Sequence, residues 1–468
     1  MADVPHIVII GAGFGGMYCV KALQKRLKPE QARITLIDPR NYLTFYPLLI
    51  EAGTGALEPR HAVVPVRSFL KQASFLMART TGVDLNKQQV TCKSMLNETF
   101  TLDYDHLVIG LGAVPRQPDL PGLAEHGFAI KSMADATALR DRAVAMLELA
   151  DGLPSVAARH NLLSFVVVGG NYTGVEVAGE YDAYLKAGAK HYPHVNPGDI
   201  QMTLVDRNDR ILNTLDKDLS DYAAKRLQKR GVNLRLNRSV SKITQNHAVL
   251  DNGDIIPAST VIWAAGIAPH PLVAKTNLPV NKYGYIPCDP DTRVTGHQNV
   301  WGVGDIATNP DPQGKAYPPT AQHAVREGTH AGQNIANAIL GKPTTPLVYK
   351  TKGMMAPLGH YDGVARIGNM NISGILAWFM WRTFYLMQMP GLSHKVRVMA
   401  DWTLALFFSR NYVQLGVHGK HRAEPQTKAV EESIEDAADA SAKDSVEISA
   451  DVSAEQSSEK PASAGQSS

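Results

Sequence analysis

Apolar residues along this chain gather into short unbroken runs: Ile7-Val8-Ile9-Ile10, Ile34-Thr35-Leu36-Ile37, Leu107-Val108-Ile109, Phe165-Val166-Val167-Val168, Met202-Thr203-Leu204-Val205, Val261-Ile262-Trp263 and Val300-Trp301. Runs of this length without polar alternation predict strands buried on both faces, as in parallel sheets covered by helices. Residues 135–149 repeat Ala, Leu and Met at the spacing of an amphipathic helix, and short runs at 74–78, 89–92 and 99–102 predict a small antiparallel meander. Strands alternating with helices give an α/β fold.

The residues just after the strands carry the chemistry. The first run leads into Gly11-Ala12-Gly13-Phe14-Gly15-Gly16, and the second ends in Asp38, 22 residues after Gly16. Gly11, Gly13 and Gly16 supply the tight turn, the close approach of backbone to a pyrophosphate and the close packing of the next helix; an acid about 20 residues on accepts from a ribose hydroxyl. FAD and NAD use the same device. The pattern returns at Gly169-Gly170-Asn171-Tyr172-Thr173-Gly174, with Asp206 as its acid. Two units imply two dinucleotides, or one and a degenerate copy. In the second, Asn171 stands at the middle glycine; Asn tolerates positive φ, so the turn is expected to survive with lowered affinity for NAD.

Three further stretches end in small residues or an acid. Residues 41–49 are apolar and aromatic without periodicity and lead to Gly53-Thr54-Gly55, a loop that lines either a flat ligand or the core. Ala264-Ala265-Gly266 closes one buried run. Gly304-Asp305 closes another, and Asp305 either accepts from sugar hydroxyls or caps the residues after it.

Composition sets the outer bounds. The 468 residues, 44% of them hydrophobic, suffice for two or three domains. The net charge of +3 conceals an asymmetry: residues 423–468 hold 11 acids and 3 lysines, which leaves +11 on the first 422. That basic body suits anionic ligands and anionic membrane surfaces. Cys19, Cys92 and Cys288 are far apart in sequence, which argues for a reducing compartment, and no signal peptide fits the N-terminus. Segments 375–389 and 396–410 are apolar and aromatic but shorter than the roughly 20 residues a membrane span needs. Residues 375–422 hold six Lys or Arg against Asp401, which suits helices lying in a membrane interface. The last 46 residues, rich in Ala, Ser and acid, read as a disordered tail.

Taken together, residues 5–418 resemble the type II NADH dehydrogenases, single-chain NADH:quinone oxidoreductases of the two-dinucleotide-binding flavoprotein superfamily. The resemblance implies two Rossmann-like domains, the FAD domain interrupted by the NAD domain: 1–120 and 286–350 for FAD, 121–285 for NAD(P)H, 351–422 for membrane association through amphipathic helices, and 423–468 as the tail. It implies that Gly11, Gly13, Gly16, Asp38, Gly304 and Asp305 hold FAD, that Pro47 and Thr54 line the flavin, and that Gly169, Gly170, Gly174 and Asp206 hold NADH. Glu176, after the last glycine, and Gln322, in Ala321-Gln322-His323-Ala324, become the catalytic candidates. Hydride then passes from NADH to flavin and two electrons to quinone, without proton pumping. The implied setting is a homodimer, peripheral on the cytoplasmic face of the cell membrane, bound to anionic lipid, with no metal and no nucleic acid. Glu51, His323, Glu327 and His360 are possible proton carriers. Ile50-Glu51 stands where the family has Tyr-Gln, and Arg207 after Asp206 leaves NADPH open beside the favoured NADH. Two other readings compete: a sulfide:quinone-type flavoprotein, which needs a reactive cysteine pair, and a redox sensor whose nicotinamide site Asn171 has disabled.

Overall fold

The computed structural model describes residues 4–414 and 416. Strand β1 (His6–Ile10), wholly buried, runs into helix α1 (Phe14–Arg26), and β2 (Arg33–Asp38) returns parallel to β1. After a short helix α2 (Leu49–Gly53), β3 (Ser74–Asp84) changes partners along its length. Residues 74–77 lie parallel to β2, and the remainder pairs antiparallel with β4 (Gln89–Ser94), which pairs in turn with β5 (Thr99–Asp103). The meander is present as expected, with its first strand extended to join the parallel sheet. Strand β6 (His106–Ile109) then lies parallel to β1 on the other side.

A second parallel sheet opens with β7 (Gly127–Ala129). Helix α3 (Met133–Asp151) begins where Ser132 Oγ accepts from the Asp135 N–H and the Asp135 carboxylate accepts from the Ser132 N–H, a reciprocal cap that starts it two residues before the periodicity does. Strand β8 (Ser164–Val168), helix α4 (Tyr172–Gly188), β9 (Gln201–Asp206), α5 (Lys217–Lys229), β10 (Val232–Leu236) and β11 (Thr260–Trp263) complete the order β7-β11-β8-β9-β10. The chain then returns to the first sheet. Strand β12 (Val300–Gly302) pairs parallel with β6, so that sheet reads β12-β6-β1-β2-β3-β4-β5. The second Rossmann-like unit is therefore inserted into the first. Helix α6 (Ala321–Ile339) closes the first unit by packing on α1 so tightly that a Cβ on Gly328 would collide with the Gly15 carbonyl.

The remaining strands, β13 (Gly353–Gly359), β14 (Asp362–Ile367) and β15 (Met370–Ser373), form an antiparallel sheet against which α7 (Ile375–Gln388) buries Trp378 and Trp381. Helix α8 (Leu392–Leu404) comes next, starting earlier than the apolar run because Gly391, at φ +82°, turns the chain directly into it. No described helix is long and apolar enough to cross a membrane. The acidic stretch 423–468 lies outside the described residues.

Candidate functional site

Both glycine turns are built by one rule, and both stand at the carboxyl end of the central strand of a parallel sheet. Gly11 and Gly169 have φ of +101° and +116°, a conformation that side chains rarely adopt, and a Cβ on Gly16 or Gly174 would collide with the carbonyl of Gly11 or Gly169. The acids brace the turns from the next strand. Asp38 accepts from the Ala12 N–H at 2.8 Å and the Arg40 N–H at 2.8 Å. Asp206 accepts from the Gly170 N–H, and from both the backbone N–H and the side-chain amide of Asn208 at 2.7 Å.

The middle position separates the two. Gly13 is extended at φ −74°, a Cβ there would meet nothing within 4 Å, and no side chain caps α1. Free amides and open space at a helix N-terminus fit a pyrophosphate. Asn171 is also extended, at φ −78°, so positive φ was not what the turn asked of it. Its side chain instead folds back: Oδ1 accepts from the Gly174 N–H at 3.1 Å and Nδ2 donates to the Ala264 carbonyl at 2.7 Å. The turn survives because asparagine caps the helix, and one amide that a pyrophosphate would use is engaged. In front of this turn lies a cavity of about 390 Å³ lined by Gly169, Gly170, Asn171, Asp206, Arg207, Arg238, Arg116 and Trp263.

Around the first turn, Asp305 is half-buried with its carboxylate 3.9 Å from Lys131 Nζ, which also lies over the Tyr46 ring. Burial raises the Asp305 pKa, against the opposing field of Lys131. Gly304, at φ +74°, donates its N–H to Glu327 Oε2 at 2.6 Å; burial pushes Glu327 up to about 7. Thr54 departs from expectation. It is fully buried, and its hydroxyl returns to the carbonyls of Ile50 and Glu51, so it holds its loop and has no side-chain surface to offer a flavin.

Pro47 and Gln322 do come together, in a pocket they share with Phe14, Phe45, Tyr349 and Phe384. Gln322 Oε1 accepts from the Tyr349 hydroxyl at 2.5 Å and the Lys352 N–H at 3.0 Å, which leaves its amide N–H groups without a protein acceptor among the described residues. Glu176 is not in this pocket. It sits on α4 in the field of Glu180 and Glu51, and burial first, then those two carboxylates, raise its pKa well above the ordinary range. Glu51 accepts from Arg382 at 3.0 Å and from Trp402 Nε1 at 2.7 Å, while Glu180 accepts from Arg410 at 3.2 Å. The Arg382 guanidinium is sandwiched between the Trp378 and Trp402 rings, 4.2 and 4.5 Å from their centroids. Glu51 and Glu180 each have a guanidinium partner, and Glu176 is the carboxylate of the three without an ion pair among the described residues.

Lys131 and Trp402 were not foreseen, and Arg382 and Arg410, counted in the sequence among the cations of a membrane interface, instead pair with Glu51 and Glu180. A single arginine inside the apolar run of α7 was the available signal, since a charge in that setting needs a buried partner. Of the proton carriers considered, Glu51 is engaged as above, and His323 is buried with Thr320 and Thr351 on its two ring nitrogens. His360 is exposed in a turn, at φ +53°. Cys19, Cys92 and Cys288 are all buried and unpaired, and burial raises each thiol pKa. That removes the reactive pair on which the sulfide reading depended.

Two known families match this chain, each over a different part of it. Residues 5–328 match the family described as pyridine nucleotide-disulphide oxidoreductase, and residues 351–411 match the NDH2 C-terminal domain. A probable NADH dehydrogenase of Dictyostelium discoideum is 30% identical, over 86% of this chain and 90% of that one. The type II NADH:quinone oxidoreductase NdhA of Mycobacterium tuberculosis is also 30% identical, over 88% and 89%. The NDH2 structure from Plasmodium falciparum in complex with NADH superposes with a TM-score of 0.82 at 21% identity, covering 87% of this chain and 99% of that one. With paired dinucleotide turns in an interrupted double fold and this C-terminal module behind them, the chain belongs to the pyridine nucleotide-disulphide oxidoreductase family and, within it, to the type II NADH dehydrogenases.

Proposed function

We infer that the protein is a flavoenzyme that oxidises NADH and reduces a quinone while resting on a membrane surface. One observation carries this: a single chain joins two dinucleotide turns to a C-terminal module that exposes Phe379 and Leu392 on its helices and Phe407 and Phe408 in the turn that follows them. FAD, held at the uncapped turn by Gly11, Gly13, Gly16 and Asp38 and at Gly304-Asp305, supplies the ring that takes a hydride from NADH and gives two electrons to quinone. Gly169, Gly170, Gly174 and Asp206 hold NADH. Pro47 lines the flavin, and the free amide of Gln322, in the pocket it shares with Pro47 and Phe45, donates to a quinone carbonyl, orienting it and favouring charge that develops on that oxygen. Glu176, biased to its proton-bearing form, holds a proton within the buried carboxylate cluster.

Helices α7 and α8 lie in the interface, drawn to anionic lipid on the cytoplasmic face of the cell membrane, and part of their apolar face serves a second copy of the chain in a homodimer. The domain limits are 1–120 and 286–350 for FAD, 121–285 for the nicotinamide nucleotide and 351–422 for the membrane. Anaerobic stopped-flow mixing of the flavin-loaded protein with NADH tests the chemistry. Flavin absorbance should fall within seconds and recover on adding quinone; flavin that stays oxidised overturns the reading. Mass measurement in detergent tests the dimer.

A further inference from the structure

The pocket that holds Gln322 also holds a charge with no counterion. Arg326 follows Gln322 by one turn of α6, so both side chains project from one helix face into the same space. The Arg326 guanidinium lies over the Tyr349 ring, 5.2 Å from its centroid, and Tyr349 is the residue whose hydroxyl donates to Gln322. Arg326 Nε is shielded from solvent without a hydrogen-bond partner among the described residues. The guanidinium's field is felt on Tyr18, another lining residue, where burial raises the pKa and Arg326 opposes the rise. No Asp or Glu is among the described residues that line the pocket, and the neighbouring Glu327 is turned away, accepting from the Gly304 N–H at 2.6 Å. Lys352 adds a second cation to the lining. Stacking on a ring offsets part of the desolvation of a guanidinium but gives its N–H groups no acceptor. A ligand that brings negative charge supplies one, in short and strong bonds.

We propose that Arg326 makes this pocket an anion site, which binds quinones carrying an ionised ring hydroxyl in preference to neutral ones and holds a neutral quinone more tightly once reduction has given it charge. This rests on the reading that the pocket takes quinone. Two electrons from the reduced flavin and one proton convert quinone to the quinol monoanion, and a second proton completes quinol. The monoanion is the species that Arg326 favours, because the guanidinium is already in place when the charge develops.

Calorimetric titration of the flavin-loaded protein tests binding apart from turnover, with the hydroxynaphthoquinone lawsone, which is ionised at neutral pH, set against its neutral methyl ether. Lawsone should bind about tenfold more tightly; Arg326→Met should remove that preference, and Arg326→Lys, which keeps the charge, should retain most of it. Added salt should weaken the binding of lawsone and leave that of the ether unchanged. In stopped flow, reoxidation of NADH-reduced flavin by a neutral short-chain quinone should slow about a hundredfold in Arg326→Met relative to flavin reduction, and less in Arg326→Lys. Equal affinity of the parent for lawsone and its ether, with quinone still reoxidising the flavin, overturns the proposal and leaves the quinone pocket standing. Reoxidation at the parent rate in Arg326→Met does the same. Failure of quinone to reoxidise the parent's flavin overturns both.

Discussion

Replacing Asn171 with glycine removes two hydrogen bonds at once, the helix cap to Gly174 and the link to Ala264, and frees the Gly174 amide for a phosphate oxygen. Exchange of an asparagine cap for glycine costs only a few tenths of a kcal/mol, and the link about 1 kcal/mol. Asn171→Gly should thus lower the NADH KM severalfold at a stability cost of about 1 kcal/mol, read from steady-state kinetics and urea unfolding; an unchanged KM overturns this account of the turn. Glu327 gives a second test. Its pKa stands at about 7 in the fold, above the ordinary carboxylate value, so its contribution to stability is fully present below about pH 4.5 and lost as pH rises through 7. Glu327→Gln keeps an acceptor for the Gly304 N–H and removes that titration. Its Tm should match the parent near pH 5 and exceed it near pH 8; parallel pH profiles would contradict the assignment. The glycines and acids at these turns were legible in sequence because each is demanded by local geometry. The direction in which Asn171 points was not, because it depends on Ala264, 93 residues away.

Helices α7 and α8 were legible as apolar segments, but what fastens them was not. Arg382 and Trp402 reach Glu51 across separations of 331 and 351 residues, and no periodicity carries such a pairing. The same Glu51 marked a departure from the family pattern in sequence, and the structure supplies its physical reason: a buried carboxylate there needs the guanidinium from α7. His61 reinforces the attachment, its Nδ1 2.6 Å from an Asp401 carboxylate oxygen that also accepts from the Glu58 N–H. Glu51→Ala leaves Arg382 buried without its partner, a change that typically costs about 3–5 kcal/mol. Limited proteolysis should then cut within 375–404 at protease concentrations that leave the parent intact. Glu51→Gln, which keeps one of the two acceptor oxygens, should be cut less than the Ala variant and more than the parent. Equal resistance of the Ala variant and the parent would show that the clamp contributes nothing.

At the scale of the whole molecule, the C-terminal module exposes large apolar side chains that water does not favour. Leu392 and Phe407 are 78% and 77% exposed, Phe379 and Phe408 62% and 68%, and basic residues Lys395 and Arg397 lie on the same helix as Leu392. Large apolar patches rimmed by cations suit an anionic bilayer surface, where burying each large side chain contributes about 1.5–3 kcal/mol. Phe379→Ser/Leu392→Ser/Phe407→Ser should therefore weaken sedimentation with vesicles containing phosphatidylglycerol by at least about a hundredfold. Lys395→Gln/Arg397→Gln should weaken it less and remove much of its salt dependence, because those charges act through a screened field. Both variants leave the two Rossmann-like sheets untouched, so NADH oxidation with a soluble electron acceptor separates lost docking from a damaged fold. Parent-like sedimentation of the serine variant would assign the exposed face to another copy of the chain, and the mass in detergent would then have to fall with the same substitutions.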